Sequence, residues 1–225
     1  SPVGDVEPYE AVSVSVNATD ALSGIAHVDL VYSLDNGTTW ETRAMMLNVS
    51  TGLYEASIEG QPAGQTVLYR VAAADLAGNV VVGSDCGKAF TYQVRKAPAT
   101  VTSDRDALNL DCKGDWLEFY VELPEAYDVN NVDISSLMLN GTVSADPLLC
   151  TVADHDADGV LDLKVCFNRA TVVGCIVSSG VTTGNVTVAV TGRLTDGSLF
   201  EGHLVLKVRK AGDVNFDGTV DMQDV

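Results

Sequence analysis

The chain has 225 residues, with 31 acidic against 13 basic side chains and a net charge of −18. That balance repels nucleic acid and anionic membrane surfaces and favours divalent cations or basic partners. Apolar residues make up 46% of the sequence, but no apolar run of about 18 residues is present to span a bilayer, and the length suits two domains of roughly 100 residues each.

The opening Ser1-Pro2-Val3-Gly4 carries no signal sequence, so the expectation is a mature product or a piece of a longer chain. From residue 9 to residue 96, short alternating segments follow one another: AVSVSVNAT, HVDLVYSLD, GLYEASIEG, TVLYRVAAAD and AFTYQVRK. Asp35-Asn36-Gly37 is a hairpin signal, and no longer window carries a helical period. Strands separated by turns at this spacing predict a β-sandwich, with Trp40 and Tyr69 packed between its sheets. TYQVRKAPAT and LVLKVRKAGDV each end a strand with Val-Arg-Lys-Ala before Pro or Gly, which places domain ends near Ala97 and Lys210. The expected organisation is therefore 1–96, 97–210 and a tail, 211–225. In the middle segment WLEFYVELP, ISSLMLNGTV, PLLCTVAD, VLDLKVCFN, NVTVAVTGRL and EGHLVLKV alternate in turn, predicting a second sandwich. NRATVVGCIVSSG is read as a short helix or helical turn between strands.

Two acidic loops carry the clearest chemistry. GDVNFDGTVDMQDV fills the slots of a twelve-residue calcium loop: Asp213, Asn215, Asp217, the Thr219 carbonyl, Asp221 and Asp224, with Gly218 at the sharp turn. Asp154, Asp156, Asp158, the Val160 carbonyl and Asp162 repeat the pattern around Gly159, but Val165 stands where the last acid would be. A strand follows this inner loop, so it is expected to act as a calcium staple between strands, with His155 pointing away from the metal. Carboxylates this dense repel one another unless a divalent cation compensates them.

Five cysteines lack C-x-x-C spacing, which argues for disulfides over zinc. Cys150 with Cys166, flanking the inner loop, is the favoured pair; Cys86 with Cys112 would clip the two domains and leave Cys175 free or intermolecular, other connectivities staying open. Sequons at Asn17, Asn36, Asn48, Asn140 and Asn185 point to an exported glycoprotein. His27, His155 and His203 each stand alone, and no nucleophile elbow, metalloprotease motif or phosphate loop is present. Glu118 and Glu122 share a strand face, as exposed acids commonly do. The expectation is that the chain is not an enzyme.

VSVNATDALSGIAHVDLVYSLDNGTTW and TGLYEASIEGQPAGQTVLYRVAAADLAGN resemble the immunoglobulin-like, or fibronectin-III-like, modules of archaeal and bacterial surface proteins, over some 85 residues. GDWLEFYVELP, DHDADGVLD and NVTVAVTGRLTDGSLFEG are similar to a β-module of archaeal exported proteins. GDVNFDGTVDMQDV resembles the first calcium repeat of a type I dockerin, and that resemblance implies Met222 and Gln223 as partner-reading residues and a cohesin as partner. A dockerin needs two such repeats, and this sequence contains one. Together these readings give an all-β chain: two immunoglobulin-like β-sandwich domains in tandem, followed by a C-terminal EF-hand-like loop. The expected function is that of an extracellular or cell-surface, calcium-stabilised structural protein in assembly, adhesion or scaffolding, extending to a filament, sheath or surface-layer subunit that contacts identical copies. The alternative is a dockerin-anchored accessory region that docks on a cohesin.

Overall fold

In the computed structural model the described residues are 4–84, 86–105, 107–112 and 114–210, and they are mostly β-strand. The terminal loop, with Asp213, Asn215, Asp217, Thr219, Asp221, Met222, Gln223 and Asp224, lies outside them. The chain divides into two compact units, Ser1–Lys96 and Ala97–Val225.

Period-two alternation builds the first unit. Its strands are β1 (Val12–Val16), β2 (Ile25–Ser33), β3 (Glu41–Ala44), β4 (Met46–Asn48), β5 (Leu53–Ile58), β6 (Thr66–Asp75), β7 (Val80–Gly83) and β8 (Phe90–Gln93). One sheet has the order β1-β5-β4 and the other β3-β2-β6-β7, with β8 beside the first half of β6. Val12 and Val14, then Val28, Leu30 and Tyr32, then Val67, Tyr69 and Val71 are buried at every second position and join Met45, Ile58 and Tyr92 in one core. Burying each such side chain contributes about 1.5–3 kcal/mol. Tyr69 packs on Phe90 and Tyr92, with ring centroids 5.3 and 6.1 Å apart. Trp40 is not part of this core. It follows the Asp35-Asn36-Gly37 turn, where its ring nitrogen donates to the Gly37 carbonyl and the Arg70 guanidinium lies 4.6 Å from its ring. The turn, which needs positive φ at Asn36 and Gly37, closes before the tryptophan can reach the space between the sheets.

The second unit comprises β9 (Ala97–Thr102), β10 (Ala107–Asn109), β11 (Trp116–Glu122), β12 (Val132–Leu139), β13 (Val143–Ser144), β14 (Thr151–Ala153), β15 (Asp162–Asn168), the helix α1 (Arg169–Ser178), β16 (Gly184–Leu194) and β17 (Leu199–Arg209). Its strands hydrogen-bond as one nine-stranded sheet, ordered β13-β12-β16-β17-β9-β11-β15-β14, with β10 also on β17. β17 makes this continuity possible: one edge pairs with β16 throughout, while the other is shared by β9 and β10, both parallel to it. Close approach at β17 requires Gly202, where a Cβ would stand 2.4 Å from the Ala99 carbonyl oxygen. An isolated bridge between Ala145 and Phe167 joins the region after β13 to β15. Phe119, Leu137, Leu139, Phe167, Val188, Val190 and Phe200 are fully buried.

β15 is buried on both faces, whereas its neighbour β14 is exposed throughout. The helix after it accounts for the second face: Val172 and Ile176 of α1 are buried, and the Asn168 side chain caps the helix by accepting from the Thr171 N–H at 3.1 Å. Buried Arg169 donates to the carbonyls of Asn109 and Cys112. β15 lies between β11 and the edge strand β14, so the loop leading into it starts from a strand paired on both sides.

Candidate metal centre

β14 and β15 form an antiparallel pair in which Thr151 faces Lys164 and Ala153 faces Asp162. Residues 154–161, exposed throughout, connect them, whereas Asp162, the first residue of β15, is only 7% exposed. The carboxylate oxygens of Asp154, Asp156 and Asp162 come within 4.8 Å of one another. Each acid also takes one backbone N–H: Gly159 donates to Asp154 at 3.1 Å, Asp158 to Asp156 at 3.3 Å and His155 to Asp162 at 2.9 Å. One oxygen of each carboxylate therefore locks the loop. Its backbone bends sharply to do so, with positive φ at Ala157 (62°) and Gly159 (95°); the alanine carries a steric cost there that glycine does not.

Asp158 stands outside the convergent trio and accepts the Val160 N–H at 2.8 Å. Val160 is thus placed by Asp158. Glu122, by contrast, comes in from the neighbouring strand, because the β11–β15 register sets it directly opposite Asp162. Its carboxyl is pushed above the usual range, first by burial and then by the charges of Asp158, Asp162 and Asp156. The sequence marked Glu122 only as one of a pair with Glu118. The structure separates the two: Glu118 faces Cys166 across the ladder and receives Lys164 Nζ at 3.5 Å, whereas Glu122 stands opposite Asp162 and feels the charges of the loop acids. Pairing register is what selects between them, and single-strand periodicity does not contain it.

His155 turns its ring onto Tyr120, with centroids 3.5 Å apart and planes within 9°. Its Nε2 lies 3.1 Å from Asp104 Oδ1, and the Tyr120 hydroxyl donates to Asp104 Oδ2 at 2.9 Å. These contacts hold the Asp104 carboxyl below its usual range, His155 contributing most, while burial and then Asp104 push the Tyr120 phenol up to about 12. The histidine thereby fastens the start of the acidic loop to β11. A small hollow of about 50 Å³ lies beside it, lined by Tyr120, Thr151, Ala153, His155, Asp162 and Lys164.

All five cysteines are free thiols. Cys150, expected from the sequence to pair with Cys166, lies before β14 rather than within it, and its thiol donates to the Asp146 carbonyl at 3.3 Å. Cys86 and Cys112 are exposed, and the Cys175 sulfur lies 3.6 Å from the Thr142 hydroxyl. Among the sequons, Asn17, Asn36, Asn140 and Asn185 are exposed. Asn48 is half-buried and donates to Glu55 at 3.1 Å.

In the first unit a depression of about 430 Å³ is lined by Val16, Ala18, Ile25, Val71 and Val81 with Asp20 and Asp75. Beside it, β7 is exposed along its whole length. Among the described residues no helix is long and apolar enough to cross a membrane. No family model matches the chain, and no curated protein matches its sequence.

Proposed function

We propose that this chain is an extracellular, calcium-stabilised structural β-protein of a cell surface, with immunoglobulin-like sandwiches as its modules and assembly, adhesion or scaffolding as its work. The observation that carries this reading is the convergence of Asp154, Asp156 and Asp162 within 4.8 Å on the loop between two strands. Uncompensated, three carboxylates at that separation repel. A hard divalent cation reverses the sign, and calcium suits a flexible loop of carboxylate and carbonyl oxygens better than magnesium, which demands a tighter octahedron. Glu122, opposite Asp162, supplies an acid from a second strand where the loop has Val165 in place of a twelfth-position ligand. Such a cation would join the loop to β11 as well as β15, stiffening a module rather than serving turnover.

The subunit part of the reading draws on β7, an uncharged edge strand whose Val80, Val81 and Val82 are 63%, 70% and 48% exposed. Exposed apolar edges are the ones that pair with further strands. Exposed sequons at Asn17, Asn36, Asn140 and Asn185 fit N-glycans on an outer surface. A second reading, a dockerin-anchored accessory region binding a cohesin, is favoured by GDVNFDGTVDMQDV alone.

Melting the full chain with saturating calcium and with chelator tests the metal. At a hundred times the dissociation constant, binding stabilises by about 2.7 kcal/mol, a shift of several degrees for a unit of this size. An unchanged melting temperature sinks the calcium reading. Light scattering on the same samples tests assembly: large particles that fall to monomer on chelation support a subunit, whereas a monomer in both favours the anchored module.

A further inference from the structure

We propose that Cys150 and Cys166 form an oxidisable pair that closes into a disulfide by exchange with a small-molecule disulfide such as oxidised glutathione, with Cys150 reacting first. The inference rests on the strand register and not on the calcium reading. Ala145 bridges Phe167 and Thr151 pairs with Lys164, so residues 146–150 oppose only Val165 and Cys166. In a regular ladder continued from Thr151, Cys150 would face Val165 and lie on the opposite side of the sheet from Cys166. The surplus residues instead fold into a turn over Cys166.

That turn gathers both sulfurs. The Asp146 N–H donates to the Cys166 carbonyl at 2.9 Å, the Cys166 thiol donates to the Leu149 carbonyl at 3.6 Å, and the Cys150 thiol donates to the Asp146 carbonyl at 3.3 Å. Burial raises the pKa of each thiol. Neither sulfur is tied to a partner that a bridge would strand, since both bonds are weak thiol-to-carbonyl contacts.

Burial sets the order of events. Cys166 is 2% exposed and Cys150 is half-buried. The Cys150 thiolate attacks one sulfur of the external disulfide and expels a thiolate, giving a mixed disulfide on Cys150. The Cys166 thiolate then attacks Cys150 Sγ and expels the second small thiolate. The two protein thiols are oxidised, the external disulfide is reduced to two thiols, and the two protons end on them. Because thiolates are the nucleophiles and both pKa values are raised, closure accelerates as the pH rises.

The test uses the full chain carrying C86S, C112S and C175S, incubated natively with oxidised glutathione at alkaline pH. Expected are the loss of both remaining thiols, an intact mass lower by two hydrogens, a cross-linked Cys150–Cys166 peptide and no retained glutathione. Adding C166S should leave one glutathione on Cys150, whereas adding C150S should leave Cys166 unmodified on the same timescale. If the triple replacement does not fold, peptide mapping of the unmutated chain after alkylation reads the same bridge. Glutathione persisting on Cys150 with Cys166 intact, or both thiols surviving the incubation, overturns the proposal.

Discussion

The first unit and the second both place aspartates in glycine-containing turns, and they use them in opposite ways. In the first, Asp20 takes the N–H groups of Leu22 and Ser23 at 2.6 and 2.9 Å and the Ser23 hydroxyl at 3.1 Å. Asp35 takes the Thr39 N–H and hydroxyl and the Ser33 hydroxyl, and Asp75 takes the Asn79 N–H and side-chain amide. These carboxylates are saturated by their own turns, and their pKa values are lowered. In the second unit Asp154, Asp156 and Asp162 each take one loop N–H and still bring carboxylate oxygens within 4.8 Å of one another, while burial and then Asp158, Asp162 and Asp156 raise the pKa of Glu122 nearby. The acids of the first unit answer donors of their own turns, whereas the loop acids of the second also face one another. The motif phrases of the first unit are therefore turn architecture, and the loop of the second is where the proposed cation would bind.

The largest effect should separate the two classes outright. Asp162→Asn removes the acid that is both buried and convergent, and calcium affinity measured by isothermal titration should fall by about a hundredfold or more, beyond the 10- to 100-fold typical of changes in groups that merely support ligands. Asp35→Asn should leave that affinity unchanged. Equal losses in the two variants would erase the distinction.

The strands with clean alternation were legible because burial on one face imposes period two, as at Val28, Leu30 and Tyr32. Short strands such as β7 and β13 contain too few residues to show any period. The helix after β15 was read within NRATVVGCIVSSG, but its reason for existing, covering the second face of β15, is tertiary. At the acidic loop the ligand spacing revealed Asp154, Asp156 and Asp162, whereas the displacement of Asp158 and the arrival of Glu122 depend on loop geometry and strand register. The same limit explains the cysteines, whose separation along the chain suggested a bridge but hid the bulge that positions Cys150. Trp40 misled for a local reason: its hairpin turn competes with the core and holds the ring at the turn.

Glu122→Gln sharpens the comparison, since its effect should change sign with calcium. With chelator present, the carboxyl has a folded-state pKa raised above its ordinary 4.5. The penalty of ionising it is thus absent below that value, grows as the pH rises through the raised one and is full at neutral pH. Gln removes the charge, so the metal-free melting temperature at pH 7 should rise by a degree or two and lose part of its pH dependence. With calcium, the same variant should bind less tightly, by roughly tenfold. A rise in stability under both conditions would mean that Glu122 repels the loop without contributing to the cation.

The smallest effect belongs to the saturated turns. The Thr39 hydroxyl and N–H and the Ser33 hydroxyl lower the Asp35 pKa from 3.8 to about 2. A depressed carboxyl stabilises the fold above its ordinary value and loses that contribution as the pH falls through about 2. Asp35→Asn should therefore melt slightly below the unmutated chain at pH 5, and the gap should close as the pH is lowered towards 2. Solvent exposure makes the difference small and salt-sensitive. Calcium should leave the gap unchanged at every pH, because the Asp35 oxygens are already committed to Thr39 and Ser33; a gap that calcium widens or closes would place Asp35 among the cation-responsive acids and undo the division between the two units' turns.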